Sequence, residues 1–288
     1  MFSQTSGWPP AHGHTTIELW PGGAPGGKPS ATTESDISTA KDYLVAGRTL
    51  VRLGNVSDPT LTLYEAKNNP SGTTVVVFPG GGYHILAIDL EGTEVCDWLN
   101  SIDITCVLVK YRVPDTGPYP KYAAALQDAQ RAVGMVRARA AEWHIDPHRI
   151  GALGFSAGGH LTAALSTHFE KRVYDRVDAA DDQSCRPDFS VLVYPAYISA
   201  TEDTTTIDPE IRVSAQTPPA FIVQAEDDHS YVASSVAYFE ALRKVNVPAE
   251  LHLYASGGHG YGLRRTDQPV THWPELVEIW LKTIGIRK

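Results

Sequence analysis

Glycine stands two residues before and two residues after Ser156, in Gly154-Phe155-Ser156-Ala157-Gly158. The pattern lies where a strand-like run, Arg149-Ile150-Gly151-Ala152-Leu153, gives way to a helix-like one, Leu161-Thr162-Ala163-Ala164-Leu165. A chain that turns from strand to helix over one residue has no space for side chains at the −2 and +2 positions. Such a turn lifts the central residue above the sheet and sets the next backbone N–H at a helix N-terminus, where negative charge is favoured. The five letters alone say little, because glycine and serine are common. Strand before and helix after make Ser156 a candidate nucleophile rather than part of a glycine-rich turn.

The rest of the chain supplies the sheet that such a turn needs. Thr73-Thr74-Val75-Val76-Val77-Phe78 is a continuous β-branched run of the kind buried on both faces. Strand-like runs are also predicted near Thr49–Leu53, Thr60–Tyr64, Ile104–Lys110, Phe189–Tyr194, Ala220–Gln224 and Glu250–Tyr254. Helices are expected near Ala87–Asn100, Tyr122–Glu142 and Pro274–Ile284. In the second of these, Leu126, Val133, Val136 and Ala140 recur on one face of a 3.6-residue period. A further helix is expected to turn Val232, Val236, Phe239 and Leu242 to the core. Strand–helix alternation over this length argues the α/β class, with a single doubly wound, mostly parallel sheet flanked by helices. Residues 49–288 form the expected catalytic domain, and residues 1–48, rich in Gly, Pro, Ser and Thr, an irregular N-terminal arm.

Composition narrows the partners. A net charge of −9 disfavours wrapping a nucleic acid or an anionic membrane, and no apolar run reaches membrane-spanning length. Asp175, Asp178, Asp181 and Asp182 read as a solvated surface loop. Three cysteines are too few and too scattered for a disulfide framework or a zinc site, and Cys96 and Cys106 read as small core residues. No His, Cys or carboxylate cluster has metal-ligand spacing, so no metal is expected. The first residues lack the charged-then-apolar pattern of a signal peptide; a cytoplasmic protein and a secreted one whose signal has been removed would both read this way.

In an open parallel sheet the chemistry belongs at the C-terminal ends of the strands. After Phe78 comes Pro79-Gly80-Gly81-Gly82-Tyr83, whose consecutive glycines let backbone amides approach a ligand. Gly81 and Gly82, joined by the N–H of Ala157, are the expected oxyanion donors, against the plainer reading of a flexible turn. After Gln224 comes Ala225-Glu226-Asp227-Asp228-His229, where a carboxylate could orient an imidazole. Spacing from the strand end favours Asp228, with Asp227 the alternative; the other aspartate would cap or brace the following helix. After Tyr254 comes Ser256-Gly257-Gly258-His259-Gly260-Tyr261-Gly262, and His259, on a loop of small residues, is the candidate base. His160, on the helix after Ser156, reads as a packed core histidine; His84 and His229 lie beside the site with a solvent or structural role as the default. The segments 170–187 and 196–219 are expected to wall the pocket, with Tyr83, Tyr197, Tyr231 and Tyr261 as linings and Tyr83 and Tyr261 as the substrate contacts.

These residues resemble the α/β-hydrolase serine esterases of the feruloyl-esterase-like and acetyl-xylan-esterase-like branch, related to the catalytic domain of prolyl oligopeptidases. The resemblance runs from about Leu19 to Leu281. It is carried by Leu19-Trp20-Pro21-Gly22, Pro79-Gly80-Gly81-Gly82-Tyr83, Glu91-Gly92, Lys110-Tyr111-Arg112-Val113-Pro114, Asp146-Pro147-His148-Arg149-Ile150-Gly151, the Ser156 turn and Gly257-Gly258-His259-Gly260-Tyr261-Gly262. It departs at Pro79, where many esterases have histidine, and at His229-Ser230-Tyr231. The chain order Ser156, Asp228, His259 is that of the family. The resemblance implies a cofactor-free Ser-His-Asp carboxylic-ester hydrolase acting through an acyl-enzyme on a small-molecule or carbohydrate ester, first of all acetyl esters of sugars or xylan. A feruloyl or general short-chain carboxylesterase is the alternative. A non-catalytic binding protein that keeps the pocket as a receptor is the reading from another class.

Overall fold

The structure is a computed structural model that describes residues 13–26, 32–68, 71–115, 122–200 and 206–287. In chain order the strands are β1 (Thr15–Glu18), β2 (Ser35–Asp36), β3 (Arg52–Gly54), β4 (Thr60–Tyr64), β5 (Thr74–Phe78), β6 (Ile85–Ala87), β7 (Thr105–Lys110), β8 (Ile150–Phe155), β9 (Ser190–Val193), β10 (Ala220–Ala225) and β11 (Ala249–Tyr254). The α-helices are α1 (Glu94–Ser101), α2 (Ala123–Ala138), α3 (Ala157–Thr167), α4 (Val232–Lys244) and α5 (Trp273–Thr283).

Eight strands form the central sheet in the order β1-β4-β7-β5-β8-β9-β10-β11. The pairs β1–β4 and β4–β7 are antiparallel and all the others parallel. Every residue of β5, β8, β9 and β10 is buried, which requires cover on both faces and explains their unbroken apolar character. α1 packs on β4, β5 and β7, α3 on β5, β8 and β9, α4 on β10 and β11, and α5 on β10. A small second sheet, β2-β3-β6, lies outside this frame.

The structure departs from the expected picture in several places. The 1–48 segment is not wholly irregular: Thr15–Glu18 is the edge strand β1, in register with Thr60–Leu63 of β4. The chain after β1 is held by side chains of α2. Trp20 donates its indole N–H to buried Asp128 at 2.7 Å, and Arg131 donates to the Leu19 carbonyl. Residues 1–12 and 27–31 of that segment lie outside the described residues. The core face of α4 is also displaced from expectation. Ala233, Ala237, Tyr238 and Leu242 are buried, whereas Val232 and Val236 are only partly so. Small residues on the inner face let the helix lie close to the sheet, and hydrophobicity alone selected the neighbouring stripe.

The acidic stretch is not simply solvated. Arg131, buried on α2, meets Asp178 at 2.5 Å and Asp181 at 3.1 Å, and the Asp181 side chain is itself 1% exposed. The 170–187 segment therefore packs along α2, where Arg137 also reaches its Ser184 and Arg186 carbonyls, rather than walling the strand ends. Cys96 and Cys106 are indeed fully buried, but they are joined in a disulfide that ties α1 to β7. Counting cysteines for a framework overlooked that a helix crossing back over the next strand brings two such positions to a Cα separation of 5.2 Å. Closing so short a loop removes unfolded-chain entropy, so Cys96→Ala/Cys106→Ala is expected to lose about 2–3 kcal/mol in urea unfolding.

Candidate active site

Ser156 sits between β8 and α3 in a backbone conformation, φ 51° and ψ −117°, that a non-glycine residue adopts only under constraint. The constraint is close packing around it. A Cβ on Gly154 would lie 2.0 Å from the Gly158 carbonyl oxygen, and one on Gly158 would lie 2.1 Å from that of Phe78. The Ser156 amide donates to the Val193 carbonyl, and its own carbonyl accepts from His160 and Ala196. Both flanking elements therefore pin the turn.

The expected partners arrive from the ends of β10 and β11, two and three strands along the sheet from β8. His259, on the loop after β11, places Nε2 at 2.8 Å from Ser156 Oγ. Its Nδ1 lies 2.6 Å from Asp228 Oδ2, on the loop after β10. The Asp228 side chain is 4% exposed and that of His259 30% exposed, so the pair runs from the interior to the open face of the site. Asp228 is held in turn: its amide donates to the Ala225 carbonyl, and its carbonyl accepts from Tyr231 and Val232 at the start of α4. The two adjacent aspartates have different tasks. Asp227 accepts from the amides of Gly257 and Gly258, bracing the histidine loop without touching the imidazole. Tyr194 and Tyr231 pack on His259, each with ring centroids 4.9 Å away.

The glycine loop after β5 is held at its start, and at its tip the Gly81 carbonyl accepts from His84 and Ile85. Tyr111 donates to the Pro79 carbonyl, Gly80 donates to Glu91 Oε2 at 2.7 Å, and the Gly80 carbonyl accepts from Ala87. Gly81 and Gly82 follow with φ of 131° and 64°. A Cβ on Gly81 would lie 2.1 Å from the Ile85 carbonyl oxygen, so no other residue fits. No group among the described residues accepts from the Gly81 or Gly82 amide. Ala157 opens α3, where a helix N–H has no partner within the helix.

Tyr83 and Tyr261, expected to contact substrate, are 3% and 6% exposed. Tyr261 packs edge-on against Tyr194, and the Tyr83 hydroxyl lies 2.7 Å from His160 Nδ1. Burial lowers the His160 pKa to about 3 and pushes the Tyr83 phenol well up, so the tyrosine can donate to a neutral imidazole. His160 is thus a core histidine. The open aromatic beside the site is Tyr197, 42% exposed, whose hydroxyl and the exposed His84 ring both lie 3.6 Å from where a Gly82 Cβ would be. Its ring meets Tyr231 edge-on at 5.4 Å. Residues 201–205 of the expected pocket wall lie outside the described residues. Among the described residues, no three His, Cys, Asp or Glu side chains converge as a cation site.

Known proteins share this arrangement of strands. A family model described as the alpha/beta hydrolase fold matches residues 75–215. The crystal structure of the acetyl ester-xyloside bifunctional hydrolase from Caldicellulosiruptor lactoaceticus is 37% identical, with a TM-score of 0.71 over 81% of this chain and 91% of that one. The chain belongs to the α/β-hydrolase family. Another member of similar sequence is the acetylxylan esterase of Xylanibacter ruminicola, 34% identical over 76% of this chain and 47% of its own length. The endo-1,4-beta-xylanase B of Butyrivibrio fibrisolvens is 29% identical over 70% of this chain and 34% of its own length. This hydrolase-family chain thus spans half or less of those two curated relatives.

Two outcomes follow from the site's geometry. Asp228→Asn is expected to cut kcat by about 10³–10⁴, as an amide leaves the imidazole in the wrong tautomer. Asp227→Asn should cost far less, since one oxygen still accepts a loop amide; steady-state ester hydrolysis by both variants compares them. His160 is neutral in the fold down to about pH 3 but protonates near 6.5 when unfolded, so the unfolded chain binds the extra proton between those values. Its contribution to stability is therefore lost as pH falls below about 6.5. Urea titrations at pH 7 and pH 5 should show His160→Gln losing less stability on acidification than the parent.

Proposed function

We propose that this chain is a serine carboxylic-ester hydrolase that works through an acyl-enzyme, and that its substrates are short acyl esters of sugars, acetylated xylan first among them. The observation that carries the reading is the hydrogen-bonded line Ser156–His259–Asp228, at 2.8 and 2.6 Å, beside two loop amides with no acceptor among the described residues. A nucleophile, a base and an orienting acid in that order, next to free donors, suit acyl transfer.

In the proposed reaction His259 Nε2 takes the Ser156 proton as Oγ attacks the ester carbonyl carbon. The carbonyl oxygen becomes the oxyanion and accepts from Gly81, Gly82 and Ala157, each such donor being worth about 3–4 kcal/mol of barrier. The tetrahedral species collapses when His259 passes its proton to the leaving alcohol oxygen. Water, deprotonated by His259, then attacks the acyl-enzyme, and the carboxylic acid leaves as Ser156 regains its proton. Asp228 keeps the imidazole in one tautomer and stabilises its cationic form.

The acyl and alcohol preference draws on the relatives, two of which are named for acetyl ester or acetylxylan hydrolysis. The exposed Tyr197 side chain beside Gly82 suits a sugar ring, whose C–H faces pack on aromatic surfaces. The test is hydrolysis of p-nitrophenyl esters of rising chain length, acetylated xylan and methyl ferulate. Rates are expected to be highest for acetyl, with acetate released from xylan. Ser156→Ala should abolish hydrolysis and fluorophosphonate labelling with the fold intact. Hydrolysis by that variant at the parent's rate would remove Ser156 from the mechanism, and a preference for methyl ferulate would move the substrate class.

A further inference from the structure

Glu91 is a buried carboxyl, 4% exposed, in a π-helical turn before α1, and the mechanism above does not use it. No lysine or arginine pairs with it among the described residues. Two donors hold it instead. Oε2 accepts from the Gly80 amide at 2.7 Å, and Oε1 accepts from the Tyr194 hydroxyl at 2.7 Å. The Tyr194 oxygen in turn accepts from the Gly262 amide at 3.0 Å. These three contacts join the loop after β5, the end of β9 and the loop that carries His259. The join is tight at the nucleophile: a Cβ on Gly80 would lie 2.6 Å from Glu91 Oε2 and 2.9 Å from Ser156 Cβ.

We propose that Glu91 is a positioning residue for the oxyanion, its carboxylate tying the glycine loop to the histidine loop and so fixing the Gly81 and Gly82 amides against Ser156. The inference rests on the esterase reading of the site. Three glycines in a row have little conformational preference of their own, and Gly81 and Gly82 both sit at positive φ. Their amides share peptide planes with the Gly80 and Gly81 carbonyls, which accept from Ala87 and from His84 and Ile85, and the Gly80 amide at the root of this turn is gripped by Glu91. A carboxyl buried without a counter-cation costs folding stability. Burial pushes its pKa up, against the two donated hydrogen bonds and the nearby His259. Such a group adds little to the core that an apolar side chain would not, and its oxygens reach the glycine loop directly and the histidine loop through Tyr194.

Glu91→Gln keeps the size but replaces one acceptor oxygen with an N–H₂ group, so either Gly80 or Tyr194 loses its acceptor. Kinetics on p-nitrophenyl acetate should show kcat per fluorophosphonate-titrated site falling about tenfold to a hundredfold, with KM within about twofold. Affinity for an aryl trifluoromethyl ketone, which forms the tetrahedral oxyanion on Ser156, should fall in parallel. A role in folding alone would lower the fraction of titratable sites and leave both quantities, per site, unchanged; that result overturns the proposal. Tyr194→Phe cuts the link to Gly262 while leaving Gly80 bound, and should give the same pattern at about three- to tenfold. If Glu91→Gln does not fold, parent values of kcat and inhibitor affinity in Tyr194→Phe overturn the proposal. A parent protein that neither labels nor hydrolyses any ester would instead remove the esterase reading on which it stands.

Discussion

The contact between the backbone of α3 and the strands beneath it is what the remainder of the molecule is arranged around. Gly154 and Gly158 let two carbonyl oxygens sit where any Cβ would be, at 2.0 and 2.1 Å. That closeness holds Ser156 in its positive-φ turn at the start of α3. A strained residue persists only where its surroundings over-determine it, at a cost of about 1–3 kcal/mol. Here those surroundings are the fully buried strands β5, β8 and β9, the rigid centre of the sheet.

From that centre each loop is fixed by something other than the residue that acts. Asp227 braces the amides beside His259, so that Asp228 meets the imidazole alone. Tyr111 and Glu91 hold Pro79 and Gly80, and among the described residues no group accepts from the Gly81 or Gly82 amide. Trp273 donates to the Gly262 carbonyl while Tyr194 takes the Gly262 amide. Ser156, His259 and the two glycines are thus each presented by their neighbours, the preorganisation that the proposed reaction calls for.

Much of this was legible in the sequence because strand ends are legible. Ser156, Asp228 and His259 each follow an apolar run within a few residues, and they are the side chains that meet. Whether Asp227 or Asp228 faces the imidazole turned on one peptide's direction, which spacing from the strand could favour but not decide. What stayed hidden depended on contacts between elements distant in sequence. The Cys96–Cys106 bond arises from a helix recrossing its strand, and the Asp181–Arg131 pair from a loop laid along α2. Burial of Tyr83 and Tyr261 follows from packing against His160 and Tyr194, which no local pattern encodes. The inner face of α4 was misplaced for a related reason: Ala233 and Ala237 are selected by closeness, and hydrophobicity scales rank valine above them.

β1 is a small element with a disproportionate task. Its four residues cover the outer edge of β4, whose Leu61 and Leu63 would otherwise border an open row of backbone donors and acceptors. An uncovered edge of that kind is a template for a second chain. The Trp20–Asp128 and Leu19–Arg131 bonds act as the latch that keeps this cover shut, fastening it to the second helix rather than to the sheet. Shortening the chain past Leu19 would undo that latch and bare the Leu61 and Leu63 edge of β4 to pairing with a second chain.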